Sequence, residues 1–237
     1  MKCTPGLGVL VAVPLALMIS VASAAADAPR ISVSAAACPE DGDAESEEGW
    51  EKLTDGESFK GWKINENEDS WRIEDGAFVA QGDRSHLFYM GENNNFKNFE
   101  LKVDVMTRPE SNGGIYFHTK WQDEGWPAHG YECQVNVSQR DPVKTGSLYN
   151  TVKLYEDDIE GLIKDNEWWT QHIIVRGNRV IVKLNDKQVI DYTEPEGKEG
   201  PVKLSEGTFA LQAHDPLSTI YFKNIRVKRL PDDAGNE

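Results

Sequence analysis

The chain has 237 residues, 39% hydrophobic and 27% charged, a mix that excludes a collagen or a wholly disordered chain and leaves room for one large or two small globular domains. Against 25 Lys and Arg stand 40 Asp and Glu, and the net charge of -15 repels phosphate backbones and anionic lipid head groups. Nucleic acid and acidic membrane surfaces are therefore not expected partners.

In chain order, Lys2, an apolar stretch over residues 7–21 and a small-residue run ending in Ala24 and Ala25 have the order of a secretory signal, predicted over residues 1–26. The apolar stretch is shorter than the roughly 20 residues that span a bilayer, and Pro14 interrupts it. The expectation is a cleaved signal and a secreted or periplasmic protein, with no membrane insertion after cleavage. Cys3 lies too early for a lipid anchor, and the alanines before Cys38 lack the large apolar residue of a lipoprotein signal. Residues 27–49, which include PEDGDAESEEG, read as a disordered acidic linker. Residues 50–230 then read as one domain, followed by a polar tail over 231–237.

Within that domain a period of two dominates. Phe99, Leu101, Val103 and Val105 alternate with Glu100, Lys102 and Asp104; Ile115, Phe117 and Thr119 alternate with Tyr116, His118 and Lys120; Tyr131, Cys133 and Val135 alternate with Glu132, Gln134 and Asn136. Each run places an apolar set on one face of a strand and a polar set on the other. Further strands are predicted at 71–74, 77–80, 173–176, 179–184, 188–192, 208–213 and 219–229, with turns at Asp75-Gly76, Gly177-Asn178 and Asn185-Asp186. Only residues 157–165 have helical character, and Gly161 cuts them to a single expected turn. So many short strands predict an all-β fold, a two-sheet antiparallel sandwich or jelly roll, with a closed barrel as the competing architecture.

The chemistry-bearing residues concentrate in NGGIYFHTKWQDEGWPAHGYECQVN, residues 112–136. If the polar faces of its two strands share one side of a sheet, Tyr116, His118 and Lys120 meet Glu132, Gln134 and Asn136 as a site; otherwise they decorate a solvent-facing surface. His214 and Asp215 form a second cluster beyond TFALQAH, where Gln212 and His214 share a polar face. His214 fits a general base, a ligand for a divalent metal or a structural histidine. Trp121 and Trp126, in a loop with Gly125 and Pro127, fit sugar stacking or the capping of one end of the sandwich. His86, His129 and His172 read as packing or surface residues. The acidic residues Glu156, Asp157, Asp158 and Glu160 read as a solvated run rather than a calcium loop. Asn136-Val137-Ser138 matches a glycosylation acceptor but falls on a predicted strand. Cys38 and Cys133 are too few and too far apart in character for a disulfide framework or a cysteine metal site. A serine elbow, a phosphate loop and a dinucleotide fingerprint are missing.

Taken in order, FKNFELKVDVMTRPESNGGIYFHTK, GYECQVN, TGSLYN, NEWWTQHIIVRGNRVIVKLNDKQV, GTFALQAHD and IYFKNIRVKRL resemble the motifs of the 3-keto-disaccharide hydrolase family. The resemblance implies a concanavalin A-like jelly roll and cleavage of glycosides oxidised at sugar C3, with a carbohydrate as substrate. By position it implies functional roles for Glu132, Gln134, Tyr149 and His214, and it sets His118 where many members carry Arg. A C3 ketone acidifies the C2 proton, so a base there, a donor for the C3 oxygen and an acid for the leaving oxygen suffice. On this reading the base is Glu132 or His214, the polarising group is Lys120 or His118 acting directly or through a divalent metal, and Gln134 and Tyr149 orient the sugar. A noncatalytic carbohydrate-binding module is the alternative, since fold does not decide function.

Overall fold

Alternating apolar residues can be removed from water only where two pleated faces meet, and the strands of this chain arrange themselves accordingly. The structure, a computed structural model, describes residues 48–232; the predicted signal, Cys38, nearly all of the acidic linker and the end of the tail lie outside these residues. One sheet has eight strands in the order β11 (Lys187–Thr193), β10 (Arg179–Leu184), β9 (Trp169–Arg176), β6 (Phe99–Thr107), β13 (Ile220–Arg229), β4 (Ala77–Ala80) and β3 (Trp71–Glu74), with β1 (Trp50–Lys52) also paired to β13. The other has five, in the order β2 (Trp62–Ile64), β5 (Ser85–Tyr89), β12 (Thr208–Ala213), β7 (Gly113–Thr119) and β8 (Tyr131–Val135). Every pairing between these strands is antiparallel. The architecture is the two-sheet sandwich, not the barrel.

Between the sheets lies a single large core. Phe99, Leu101, Val103 and Val105 of β6 and Ile173 and Val175 of β9 face Leu87, Ile115, Phe117, Phe209 and Leu211 of the smaller sheet. Each phenylalanine or leucine sealed there contributes on the order of 2 kcal/mol relative to exposure. The predicted strands all form, although β9 begins at Trp169 and β7 at Gly113. The short helix α1 (Glu156–Ile159) is the single turn expected in that loop. No helix among the described residues is long and apolar enough to cross a membrane.

The outer face of the five-stranded sheet is covered along β5, β12 and β7. There Phe88, Tyr116 and Ala210 form a second, smaller apolar cluster with Trp121 against it. Near the end of β7 the pairing with β12 slips: Ala210 pairs with Tyr116 but Thr208 with Thr119, so β7 carries an extra residue. His118 sits in that bulge with φ of 55°, a left-handed conformation that turns its side chain away from the face Tyr116 occupies. Asn136 is fully buried, and its amide donates to the carbonyls of Asp141 and Val143, which rules out the glycosylation reading. Cys133 is a buried free thiol.

Candidate functional site

The outer face of the five-stranded sheet is a grid read across the strands. Tyr116 lies directly opposite Glu132 and Gly114 opposite Gln134 in the β7–β8 register. On the other side of β7, Ala210 is opposite Tyr116, so Gln212 falls level with Gly114. These side chains floor a cleft of about 380 Å³. The segment after β8 doubles back along it, with the N–H of Gly146 donating to Gln134 and that of Tyr149 to the carbonyl of Glu132 (3.0 and 2.9 Å). This return brings Asp141, Tyr149 and Asn150 into the lining, which Trp126, Pro127, Val202 and His214 complete, the Trp126 and His214 rings lying 5.3 Å apart.

Glu132 is held at the floor by two donors. The Nε2 of Gln212 donates to its Oε1 at 3.1 Å and to the Tyr116 hydroxyl oxygen at 2.8 Å, and the Tyr116 hydroxyl donates to the same carboxylate. Diagonally across from Glu132, glycine at 114 makes room for it: a Cβ there would collide with the Glu132 carboxylate. Burial pushes the Glu132 carboxyl up to about 7, and the hydrogen bonds from Tyr116 and Gln212 recover only part of that shift. Burial likewise drives the Tyr116 hydroxyl well above its ordinary range, keeping it a neutral donor. Gln134 is turned by Asn112, whose Oδ1 accepts from its Nε2 at 2.9 Å.

His214 is oriented by Asp215. Its Nδ1 lies 2.7 Å from Asp215 Oδ2, and a carboxylate only accepts, so Nδ1–H is the donor and, in the neutral ring, Nε2 is the nitrogen with the lone pair. Asp215 is itself fixed by the N–H groups of Leu217 and Ser218 and by the Ser218 hydroxyl. Partial burial raises the Asp215 carboxyl, but the bonds from His214, Leu217 and Ser218 together outweigh it and hold the pKa below the ordinary value. The cleft thus contains a carboxyl group poised near neutrality and an imidazole with a usable lone pair.

Of the residues singled out from sequence, Tyr116, Trp126, Glu132, Gln134, Tyr149 and His214 line this cleft, and Asp215 stands behind His214. Three do not. His118 is buried against Phe99 and Phe117, its Nε2 bonded to the Lys97 carbonyl and its Nδ1 accepting from the Ser205 N–H. Burial lowers its pKa to about 4, so it is a neutral structural group rather than a polarising cation. Lys120, just past the bulge, is exposed and outside the cleft lining. Trp121 packs on Phe88 with the Lys63 ammonium 3.9 Å from its ring centre, beside the cleft rather than in it. Asp141, Asn150 and Val202 have no site role in the sequence reading, because returning loops place them there; Asn112, just before β7, lies in the informative stretch but without an assigned role. Among the described residues no three His, Cys, Asp or Glu side chains converge to hold a metal ion, so these residues do not fit the divalent metal considered for the C3 oxygen.

The sequence profile of the 3-keto-alpha-glucoside-1,2-lyase-like domain matches residues 49–228. Among solved structures, a protein of Parabacteroides distasonis ATCC 8503 provisionally described as a glycosyl hydrolase is 24% identical, with a TM-score of 0.65 over 78% of this chain and 95% of that one. A second protein of the same organism and description is 21% identical, with a TM-score of 0.58 over 76% and 99% of the two chains. The VIP36 exoplasmic/lumenal domain, solved in a Ca2+- and mannose-bound form, is 12% identical with a TM-score of 0.51 over 75% and 86%. At these identities the likeness is one of fold. No curated protein matches the chain.

Proposed function

The chain belongs to the 3-keto-alpha-glucoside-1,2-lyase-like family, and from that premise we propose that it is an enzyme cleaving glycosides whose sugar carries a ketone at C3. The observation that supports this most is the pairing of Glu132, its carboxyl raised to about 7, with the Asp215-oriented His214 on one cleft. Catalytic proton transfer is most effective when the group's pKa lies near the working pH, which is where burial has moved Glu132.

The ketone withdraws electrons from C2, so a base removes the C2 proton and the freed electron pair forms an enolate. Collapse of the enolate makes the C1=C2 double bond and expels the aglycone oxygen from C1, which takes a proton from an acid. Water then adds across C1=C2, hydroxyl to C1 and proton to C2, and the product is the free 3-keto sugar. Glu132 in its ionised form is the C2 base in this scheme, and His214, once protonated, is the acid at the leaving oxygen. The two exchange protons again when water adds. Polarisation of the C3 oxygen, assigned from sequence to Lys120 or His118, passes to the Tyr149 hydroxyl and the Asn150 amide, the donors on the cleft wall. Gln134 and Asn112 orient the ring hydroxyls.

The test is release of 3-keto-glucose from a 3-keto-disaccharide by the purified protein, with deuterium incorporation at C2 in heavy water reporting the base step alone. Absence of both release and exchange, with or without added divalent metal, would refute the enzymatic reading. A wild type that turns over and a Glu132→Gln protein that binds sugar but neither exchanges nor releases support the enzyme, whereas an inactive wild type that binds intact glycans supports the binding module.

A further inference from the structure

At the β5 side of the cleft, polar atoms are buried without partners. Neither ring nitrogen of His86 makes a hydrogen bond, and neither does the amide oxygen of Gln212. His86 has no exposed surface and Gln212 has 1%. They are direct cross-strand neighbours, His86 of β5 opposite Gln212 of β12, so both side chains rise from the same outer face. Leaving such groups unpaired in the folded chain is costly, and adjacent unpaired donors and acceptors mark a place built for a hydrogen-bonding guest.

What covers His86 is Trp126. Its ring stands nearly edge-on to His86 with centroids 5.6 Å apart, and 5.3 Å from the ring of His214. The Arg84 guanidinium lies 5.4 Å from the same ring. Trp126 is nonetheless 46% exposed. The chain beside it is anchored separately, through the Gly125 N–H to Glu66 Oε1 at 2.9 Å, with Glu66 also held by Arg84 Nε at 3.0 Å. Rotation of the indole about its own side-chain bonds would uncover His86 without moving this anchored loop.

We infer that the cleft continues beneath Trp126 into a second sugar subsite, floored by His86 and the Gln212 amide oxygen and covered by the indole when no ligand is bound. Its guest is a second pyranose ring, the sugar on the leaving side of the cleaved bond. A sugar hydroxyl donates to the Gln212 oxygen, another bridges the imidazole, and the CH face of the ring stacks on the displaced indole. Burial holds the His86 pKa down at about 3, so the imidazole is neutral with one donor and one acceptor. That pairing suits hydroxyl groups, which both give and accept, and is poor for phosphate or carboxylate. The identity of the guest as a leaving group rests on the cleavage reading; the existence of the subsite does not.

The experiment has one arm that needs no turnover. In protein labelled with nitrogen-15 at histidine, maltose shifts the His86 ring resonances and methyl α-D-glucoside, a one-ring probe, does not. The His86 signals are assigned by their loss in His86→Phe, or in His86→Asn should the first variant fail to fold. In the kinetic arm, His86→Phe raises KM for 3-keto-maltose about tenfold, the loss expected for one good hydrogen bond, and leaves KM for methyl 3-keto-α-D-glucoside within about twofold. His86→Asn, which keeps a donor and an acceptor, recovers part of the loss. Ring resonances indifferent to saturating maltose, or equal losses with both substrates, overturn the subsite. If no variant and no wild type turns over, the cleavage reading fails while the resonance arm still decides whether the subsite exists.

Discussion

Strands β10 and β7 are both antiparallel and both interior to their sheets, yet they are buried in different ways. Along β10 every second residue is buried and its neighbours Arg179, Ile181 and Lys183 face outward; along β7 all seven residues are buried. The same holds for β5 and β12, whose outer faces are covered as well as their inner ones. A β10-type strand buries one face to hold the sandwich together and leaves the other to water. A β7-type strand has a second burial, of Tyr116 and its neighbours Glu132 and Gln212, that the core does not need. Polar groups placed there are desolvated at a cost and are informative for that reason, because stability alone would favour apolar residues.

That contrast can be tested by substitutions on the two kinds of face. The largest effect is expected for Glu132→Gln, which keeps the shape and the hydrogen bonds from Gln212 but removes the base. Turnover of a 3-keto-disaccharide should fall ~10²–10⁴-fold, and C2 deuterium exchange should fall in parallel. Asp215→Asn comes next: an amide can donate to Nδ1, so it stabilises the wrong tautomer of His214 and should lower kcat at least about tenfold with KM little changed. A ratio of kcat values near one would remove His214 from the mechanism.

The third effect concerns stability rather than rate. The Glu132 carboxyl has an ordinary value of 4.5 and is raised to about 7 in the fold, so the folded chain holds this proton more tightly than the unfolded one. Its contribution to stability is complete below about pH 4.5 and is lost as the pH climbs through about 7. Glu132→Gln cannot lose it. Unfolding midpoints of the two proteins should therefore coincide in acid and separate above about pH 8 in favour of the variant, by up to about 3 kcal/mol. A separation that grows toward acid would contradict the burial of this group. The smallest effect is expected on β10, where Arg179 and the partly exposed Asp191 of β11 form a bidentate pair at 2.7 Å. Asp191→Asn should leave turnover unchanged and barely move the thermal midpoint, since exposed ion pairs are screened by water.

How much of this was legible beforehand follows from the same contrast. Strands such as β6 and β10 announce themselves because one face is wet, and alternation is the trace of that difference. β5, with the sequence SHLFY, shows no alternation and was not foreseen, because His86 and Phe88 are covered on one side as Leu87 and Tyr89 are on the other. For the same reason the sequence marks His86 as nothing more than a packing or surface residue. β1 and β2, at three residues each, are too short to carry a period. His118 failed differently: alternation put it beside Tyr116, but the extra residue in β7 reversed its direction, and a bulge leaves no mark in the order of residue types.

The amino-acid order determined most of the longer strands, an all-β antiparallel fold, and which side chains of 131–135 and 208–214 point away from the core. These depend on a period-two preference that each segment expresses by itself. Only the tertiary structure decided that Glu132, Gln212, Tyr149 and His214 share one cleft, that His118 and Lys120 lie outside it, and that Trp126 covers His86. Those outcomes depend on strand register, on a one-residue bulge and on where loops return, and each is fixed by packing between residues far apart in the chain.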